Sequence, residues 1–147
     1  MAKYVLDTNV ILDALNQPAQ LEALLGFLHW ALPTTYFSAV VALELEAGTT
    51  TRRQRSLLDQ QLAGPFSRRG RVIAPSVSAW QRAGRVVSSG YRVQTPDALN
   101  DLLIAVSARE AGLTVVSSDR GVRALQKVVP GLAVVAPFPA PPAQHGA

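Results

Sequence analysis

Short apolar runs that lack polar alternation, each stopped by a polar residue and followed by a helix-like segment, constrain this chain most. The first is Tyr4-Val5-Leu6, which runs straight into Asp7, Thr8 and Asn9. Thr35-Tyr36-Phe37, Arg71-Val72-Ile73-Ala74, Leu113 to Val116 and Leu132 to Val135 repeat the pattern. A strand buried on both faces needs no alternation, and that is the signature of a parallel sheet covered by helices. The expected fold is therefore three-layer α/β/α around a parallel sheet of about five strands.

The segments between the runs carry helical spacing and helix punctuation. Val10 to Leu15 reads as a short helix, and a second starts at Pro18, places Leu21, Leu24, Leu25 and Leu28 at helical spacing and ends at Pro33. Ser38 is a natural N-cap for Ala39 to Ala47, which Gly48 closes. Thr51 to Ala63 opens with Arg52, Arg53 and Arg55, and Gly64-Pro65 is expected to break it. A helix from Ser76 runs through Trp80 and Val87. Thr95-Pro96 is a strong start for a helix reaching Ala111 and Gly112. The last helix is expected from Arg120 to Val128. One domain over residues 1–136 and a Pro- and Ala-rich structureless tail over 137–147 complete the organisation.

The 147 residues hold no cysteine, which excludes disulfides and thiolate metal sites and fits a cytoplasmic location. No apolar run approaches the roughly 20 residues of a membrane helix, and Asp7 and Asn9 interrupt any signal-peptide pattern. The formal charge of +4 is unevenly spread. Residues 1–51 are acidic on balance, while twelve arginines fall after residue 51. Arginine forks match phosphate geometry, so the basic part suits a polyanion such as RNA. Arg52, Arg53, Arg55 and Arg120 are the candidate contacts; the bland reading is that these arginines serve solubility.

The acids number only ten, and four occupy unusual places. Asp7 ends the first strand and Asp119 follows the fourth, where open α/β sheets bind ligands. Glu44 and Asp101 lie on helices amid apolar neighbours, Leu43 to Leu45 and Leu99 to Ala105. An acid among core residues costs several kcal/mol (an order-of-magnitude value) unless paired or bound to a cation. If the strands are adjacent, all four meet in one pocket, repel each other and call for a cation. Only oxygen ligands are on offer, which favours Mg²⁺ or Mn²⁺ over zinc. Each acid also has a structural alternative: Asp7 and Asp119 as N-caps, Glu44 as a surface acid like Glu46, Asp101 paired with Arg109. Asp97 shares a helix face with Asp101 and is either a fifth ligand or an acid favouring the helix dipole. Thr8, Asn9, Ser38 and Ser117 are candidate hydrogen-bonding support for the carboxylates. His29 and His145 read as structural or tail residues.

These motifs, taken in order, resemble the PIN-domain ribonucleases, and within them toxins of the VapC type. Val5-Leu6-Asp7-Thr8-Asn9-Val10 resembles the first family motif, Ser38 to Leu45 the second, Asn100 to Ala105 the third and Val115 to Asp119 the fourth. The match spans about residues 3–135. The resemblance implies that Asp7, Glu44, Asp101 and Asp119 bind metal, that the protein is an Mg²⁺-dependent endoribonuclease acting on tRNA or rRNA, and that it forms a homodimer with a cognate antitoxin. Two departures stand out. Gly121 and Val122 occupy positions where the family often has a further acid and Phe, and Ser117 replaces the usual Thr while keeping the hydroxyl. A dehalogenase-type phosphatase is discounted because Asn9 stands where a second Asp is needed. A phospho-receiver domain is discounted because Ala74-Pro75 follows the third strand. The remaining alternatives are a PIN nuclease outside a toxin–antitoxin pair and a degenerate module that only binds RNA or protein.

Overall fold

The structure, a computed structural model, describes residues 1–143. Five strands form one parallel sheet: β1 (Tyr4–Leu6), β2 (Thr35–Ser38), β3 (Val72–Ile73), β4 (Thr114–Val116) and β5 (Ala133–Val135). Their order is β3-β2-β1-β4-β5. The chain leaves β1 toward β2 and β3 on one side, then returns to place β4 on the other. Tyr4 faces Thr35 across one edge of β1 and Thr114 across the other. β1 is thus the central strand, with Val5 fully buried and its neighbour Val115 equally so.

The helices are α1 (Thr8–Asn16), α2 (Pro18–Ala31), α3 (Ala39–Ala47), α4 (Arg52–Leu58), α5 (Gly64–Arg68), α6 (Val77–Ser88), α7 (Pro96–Ala111) and α8 (Arg120–Ala124). Their starts follow the expected chemistry. Ser38 accepts from Val40 N–H, Ser76 from Ala79 N–H and Thr95 from Ala98 N–H, satisfying amides that the first turn leaves free. Gly112 ends α7 at φ 70°, a left-handed conformation that a side chain would resist. α7 is the central helix: Leu102 through Ala108 are all buried. On the other side, α2 holds β1 through an aromatic cluster, with Phe27 edge-on to both Tyr4 and Trp30 at 5.3 Å.

The expected break at Gly64-Pro65 does not occur. The helix instead widens into a π turn over Asp59–Ala63 and continues as α5, with Gly64 N–H donating to the Asp59 carbonyl. Proline in a regular helix clashes with the preceding turn, and the wider turn relieves that. Glycine is needed just before it, since a Cβ at residue 64 would lie 2.5 Å from the Asp59 oxygen. Strand β3 is shorter than the Arg71–Ala74 run. The last helix turns to 3₁₀ over Leu125–Lys127 instead of running on to Val128. Beyond Pro137 no helix or strand forms among the described residues, yet Phe138 is half-buried and stacks on Phe27 at 5.4 Å. The end of the expected tail, 144–147 with His145, lies outside the described residues. Among the described residues no helix is long and apolar enough to cross a membrane.

Candidate functional site

The sheet order brings the carboxyl ends of β1, β2 and β4 side by side, and the acids of the sequence meet there. Asp7, Glu44, Asp97, Asp101 and Asp119 line one cleft of about 550 Å³, with Thr8, Asn9 and Asn100 among them and Leu12, Leu43 and Pro96 at its apolar parts. Asp7 comes from the end of β1, Asp119 from just past β4, Glu44 from α3, and Asp97 and Asp101 from successive turns of α7. None of the cleft-lining residues is Lys, Arg or His.

Hydroxyls tie the acids together. Thr8 N–H donates to Asp7 Oδ1 at 2.8 Å, while the Thr8 hydroxyl donates to Glu44 Oε1 at 2.7 Å. Ser117, fully buried, donates its hydroxyl to Asp7 Oδ2 at 2.9 Å and accepts the Asp119 N–H at 3.0 Å. Asp119 Oδ1 takes the Gly121 N–H at 2.7 Å, and its Oδ2 lies 3.5 Å from Asn9 Nδ2. Cap and site member are therefore not alternatives for Asp7 and Asp119. Each is the N-cap of the helix that follows it and also lines the cleft.

The electrostatics follow from burial and crowding. Asp7 is 2% exposed, and burial pushes its carboxyl above the usual range. Hydrogen bonds from Ser117 and Thr8 oppose that, and the charges of Asp119 and Glu44 reinforce it. Burial, then the charges of Asp7, Asp119, Glu44 and Asp97, raise Asp101 to about 7. Among the described residues no hydrogen bond or ion pair relieves Asp101; Arg109, a possible partner by sequence, binds the Pro130 carbonyl instead. Tyr91 lies near enough to Asp101 for that charge to reinforce burial in raising the phenol. Nothing in the sequence points to Tyr91, which stands in the loop between α6 and α7 and does not itself line the cleft.

The other expected residues fall in different places. Ser38 is buried, but its oxygen serves Val40 N–H and donates to no carboxylate among the described residues. Asp97 is exposed and on the cleft. Arg52, Arg53 and Arg55 are exposed on α4 and do not line the cleft. Arg55 pairs with Glu46 at 3.5 Å, an open contact of little energetic weight. Arg120 is exposed beside Asp119 at the start of α8. Among the described residues no three acids stand close enough to form a closed ligand cluster.

A parallel α/β domain with an acid-lined cleft at the carboxyl ends of its central strands is the class defined by this fold and site. The chain belongs to the PIN-domain family, whose model matches residues 4–128. No curated protein matches it closely. Among solved structures it is similar to FitAcB from Neisseria gonorrhoeae, at 24% identity and a TM-score of 0.68 over 91% of this chain and 97% of that one. FitAB bound to the IR36 DNA fragment matches at 21% identity and a TM-score of 0.64, over 97% and 99% of the two chains. VapBC2 from Rickettsia felis, bound to a DNA fragment from its promoter, matches at 21% and 0.63 over 90% and 97%.

Proposed function

We propose that this PIN-domain protein is a metal-dependent endoribonuclease and the toxin of a toxin–antitoxin pair. The observation that carries the reading is the convergence of Asp7, Glu44, Asp101 and Asp119 on one cleft whose lining holds no basic side chain. The donor set fits a hard divalent cation. All the charged groups are carboxylates, Asp101 is pushed toward neutrality by burial and then by its neighbours' charges, and the acids surround open space without closing on each other. Mg²⁺ keeps several waters and binds through few carboxylates plus substrate phosphate, so it tolerates such spacing, as does Mn²⁺. Asp7 and Asp101, with Glu44 and Asp119, would hold it.

When bound, the ion supplies an acidified water and charge stabilisation at the phosphoryl oxygens. The chain's own residues set the geometry. Thr8 and Ser117 fix the rotamers of Asp7 and Glu44, and Ser117 seats the Asp119 loop. Asn9 faces the outer oxygen of Asp119. Asn100, at the cleft wall, can donate to a phosphate or a 2′-hydroxyl. The exposed arginines of α4 and Arg120 are the proposed phosphate contacts.

The partner proposal rests on the similar structures, which are FitAB and VapBC assemblies. An antitoxin bound at the cleft would meet uncompensated acids, for which one inserted arginine is the matching group. A homodimer and an RNA substrate of the tRNA or rRNA class belong to the same reading. The test is cleavage of a structured RNA by the purified protein in Mg²⁺ and in EDTA, beside Asp7→Asn and Glu44→Gln. Cleavage that needs Mg²⁺ and vanishes in both variants is expected. Wild-type rates in either variant, or full activity in EDTA, would overturn the metal-site reading.

A further inference from the structure

A second, smaller cleft of about 190 Å³ opens beside the first, lined by Val10, Asp13, Gln20, Ser118, Pro137 and Phe138. It shares two segments with the first: α1, which follows Asp7, and the stretch after β4 that carries Asp119. Asp13 stands four residues after Asn9 on α1, roughly one helical turn or about 6 Å further along. Ser118 immediately precedes Asp119, about 3.8 Å away along the chain. The two clefts therefore lie within the reach of one nucleotide.

The lining has a specific chemistry. Phe138 is half-buried and packed in place by Phe27, so an aromatic ring fixed by the core forms part of the wall, with Val10 and Pro137 beside it. Asp13 is half-buried, and among the described residues its carboxylate has no hydrogen bond or ion pair. Gln20 adds an amide and Ser118 a hydroxyl, both exposed and both able to donate or accept. A carboxylate without a partner, an amide and a hydroxyl against an aromatic and aliphatic wall match the needs of an unstacked nucleobase. Such a base offers a flat apolar face and a hydrogen-bonding edge.

We infer that this second cleft is a base-recognition pocket that selects guanine next to the scissile phosphate, an inference that rests on the nuclease reading for its biological use. Guanine is the base whose pairing edge presents two adjacent N–H donors, at N1 and N2, the complement of the two oxygens of Asp13. Its O6 takes a proton donor, which Gln20 or Ser118 supplies. Adenine, cytosine and uracil each leave one Asp13 oxygen facing an acceptor or nothing. Adenine and cytosine offer a single amino group next to a ring acceptor, and uracil offers one N–H between two carbonyls.

The experiment has two independent arms. In EDTA, where no cleavage takes place, GMP, AMP, CMP and UMP are titrated by NMR into the wild type, Asp13→Asn and Gln20→Ala. GMP is expected to bind the wild type about ten-fold more tightly than the others, and Asp13→Asn to lose that preference. Gln20 is exposed, so its variant tests the pocket even if Asp13→Asn fails to fold; a partial loss of guanine preference is expected. In Mg²⁺, the cleavage sites on a random RNA pool are mapped. The wild type is expected to cut at a fixed offset from guanine, and Asp13→Asn to lose that bias, with cleavage beside guanine falling toward the level beside the other bases. Equal affinity of the wild type for all four nucleotides, or a guanine bias surviving in both variants, overturns the pocket. Absence of cleavage of any RNA, with selective GMP binding intact, would instead overturn the nuclease reading alone.

Discussion

Asp101→Asn offers the sharpest test of the electrostatics, because it removes the acid that the others push hardest. Burial first, then Asp7, Asp119, Glu44 and Asp97, hold its folded-state pKa at about 7 against 3.8. The folded protein keeps that proton over a range where the unfolded chain has lost it. Stability from this group is thus fully present below pH 4, falls as pH rises, and levels off above about pH 7. A tenfold change in acidity corresponds to about 1.36 kcal/mol, which gives an unscreened cost of about 4 kcal/mol at pH 8. Asp101 is only half-buried, and solvent screening reduces this to roughly 1–2 kcal/mol. Asparagine has nearly the same shape, and no hydrogen bond of Asp101 is lost with it among the described residues. In EDTA at pH 8 the variant should therefore unfold about 2–8 °C above the wild type, using the usual sensitivity of a chain this size. At pH 4 the difference should vanish. Saturating Mg²⁺ should reverse its sign, since the wild type gains binding energy that the variant lacks. The assay is thermal unfolding by circular dichroism at the two pH values, with and without the ion. A variant no more stable than the wild type at pH 8 in EDTA, or a difference independent of pH, would refute the reasoning.

Ser117→Ala strips one hydrogen bond from Asp7 and one from the Asp119 amide, and should lower stability by about 1–3 kcal/mol in urea unfolding, while Ser117→Thr should keep most of it. RNA affinity should fall steeply with added salt, and neutralising Arg52, Arg53 and Arg55 together should flatten that dependence without changing Mg²⁺ affinity; a salt-independent affinity would remove the electrostatic footprint. For the antitoxin complex, saturating Mg²⁺ should weaken the partner's binding, and replacing the partner's cleft-facing basic residue with alanine should abolish that effect. Partner affinity indifferent to Mg²⁺ in both forms would mean that inhibition works by covering the RNA path.

Much of the fold is legible in the sequence because its signals are local. Apolar runs without alternation mark all five strands, and Thr95-Pro96 with Gly112 marks α7 to the residue. Gly64-Pro65 misleads for a physical reason: the pair breaks a regular helix, and only a π turn lets the chain continue through it. The tail's composition gives no sign that Phe138 docks, since the ring it stacks on lies more than a hundred residues earlier. The acids of the site are readable as misfits among apolar neighbours. Their supports are only partly so. Thr8 and Ser117 do bind carboxylates, but the links from Thr8 to Glu44 and from Ser117 to Asp7 span 36 and 110 positions and exist only once the sheet has formed. Ser38, expected to do the same, serves only as a cap. Cap or site residue is a false choice for Asp7 and Asp119, because a carboxylate has two oxygens.

The central position of β1 has a consequence for the timing of synthesis. Asp7 is made more than a hundred residues before Ser117 and Asp119, and β2 can pair with its strand before β4 exists. The other edge of β1 stays bare until β4 is made, and Asp119 comes later still. A growing chain thus carries Asp7 and Glu44, until residues 117 and 119 are made, with neither Ser117 to orient the first nor Asp119 to complete the set. Whatever chemistry the cleft performs is withheld from the nascent protein. It begins only when the polypeptide has passed its fourth strand and closed the sheet around its first.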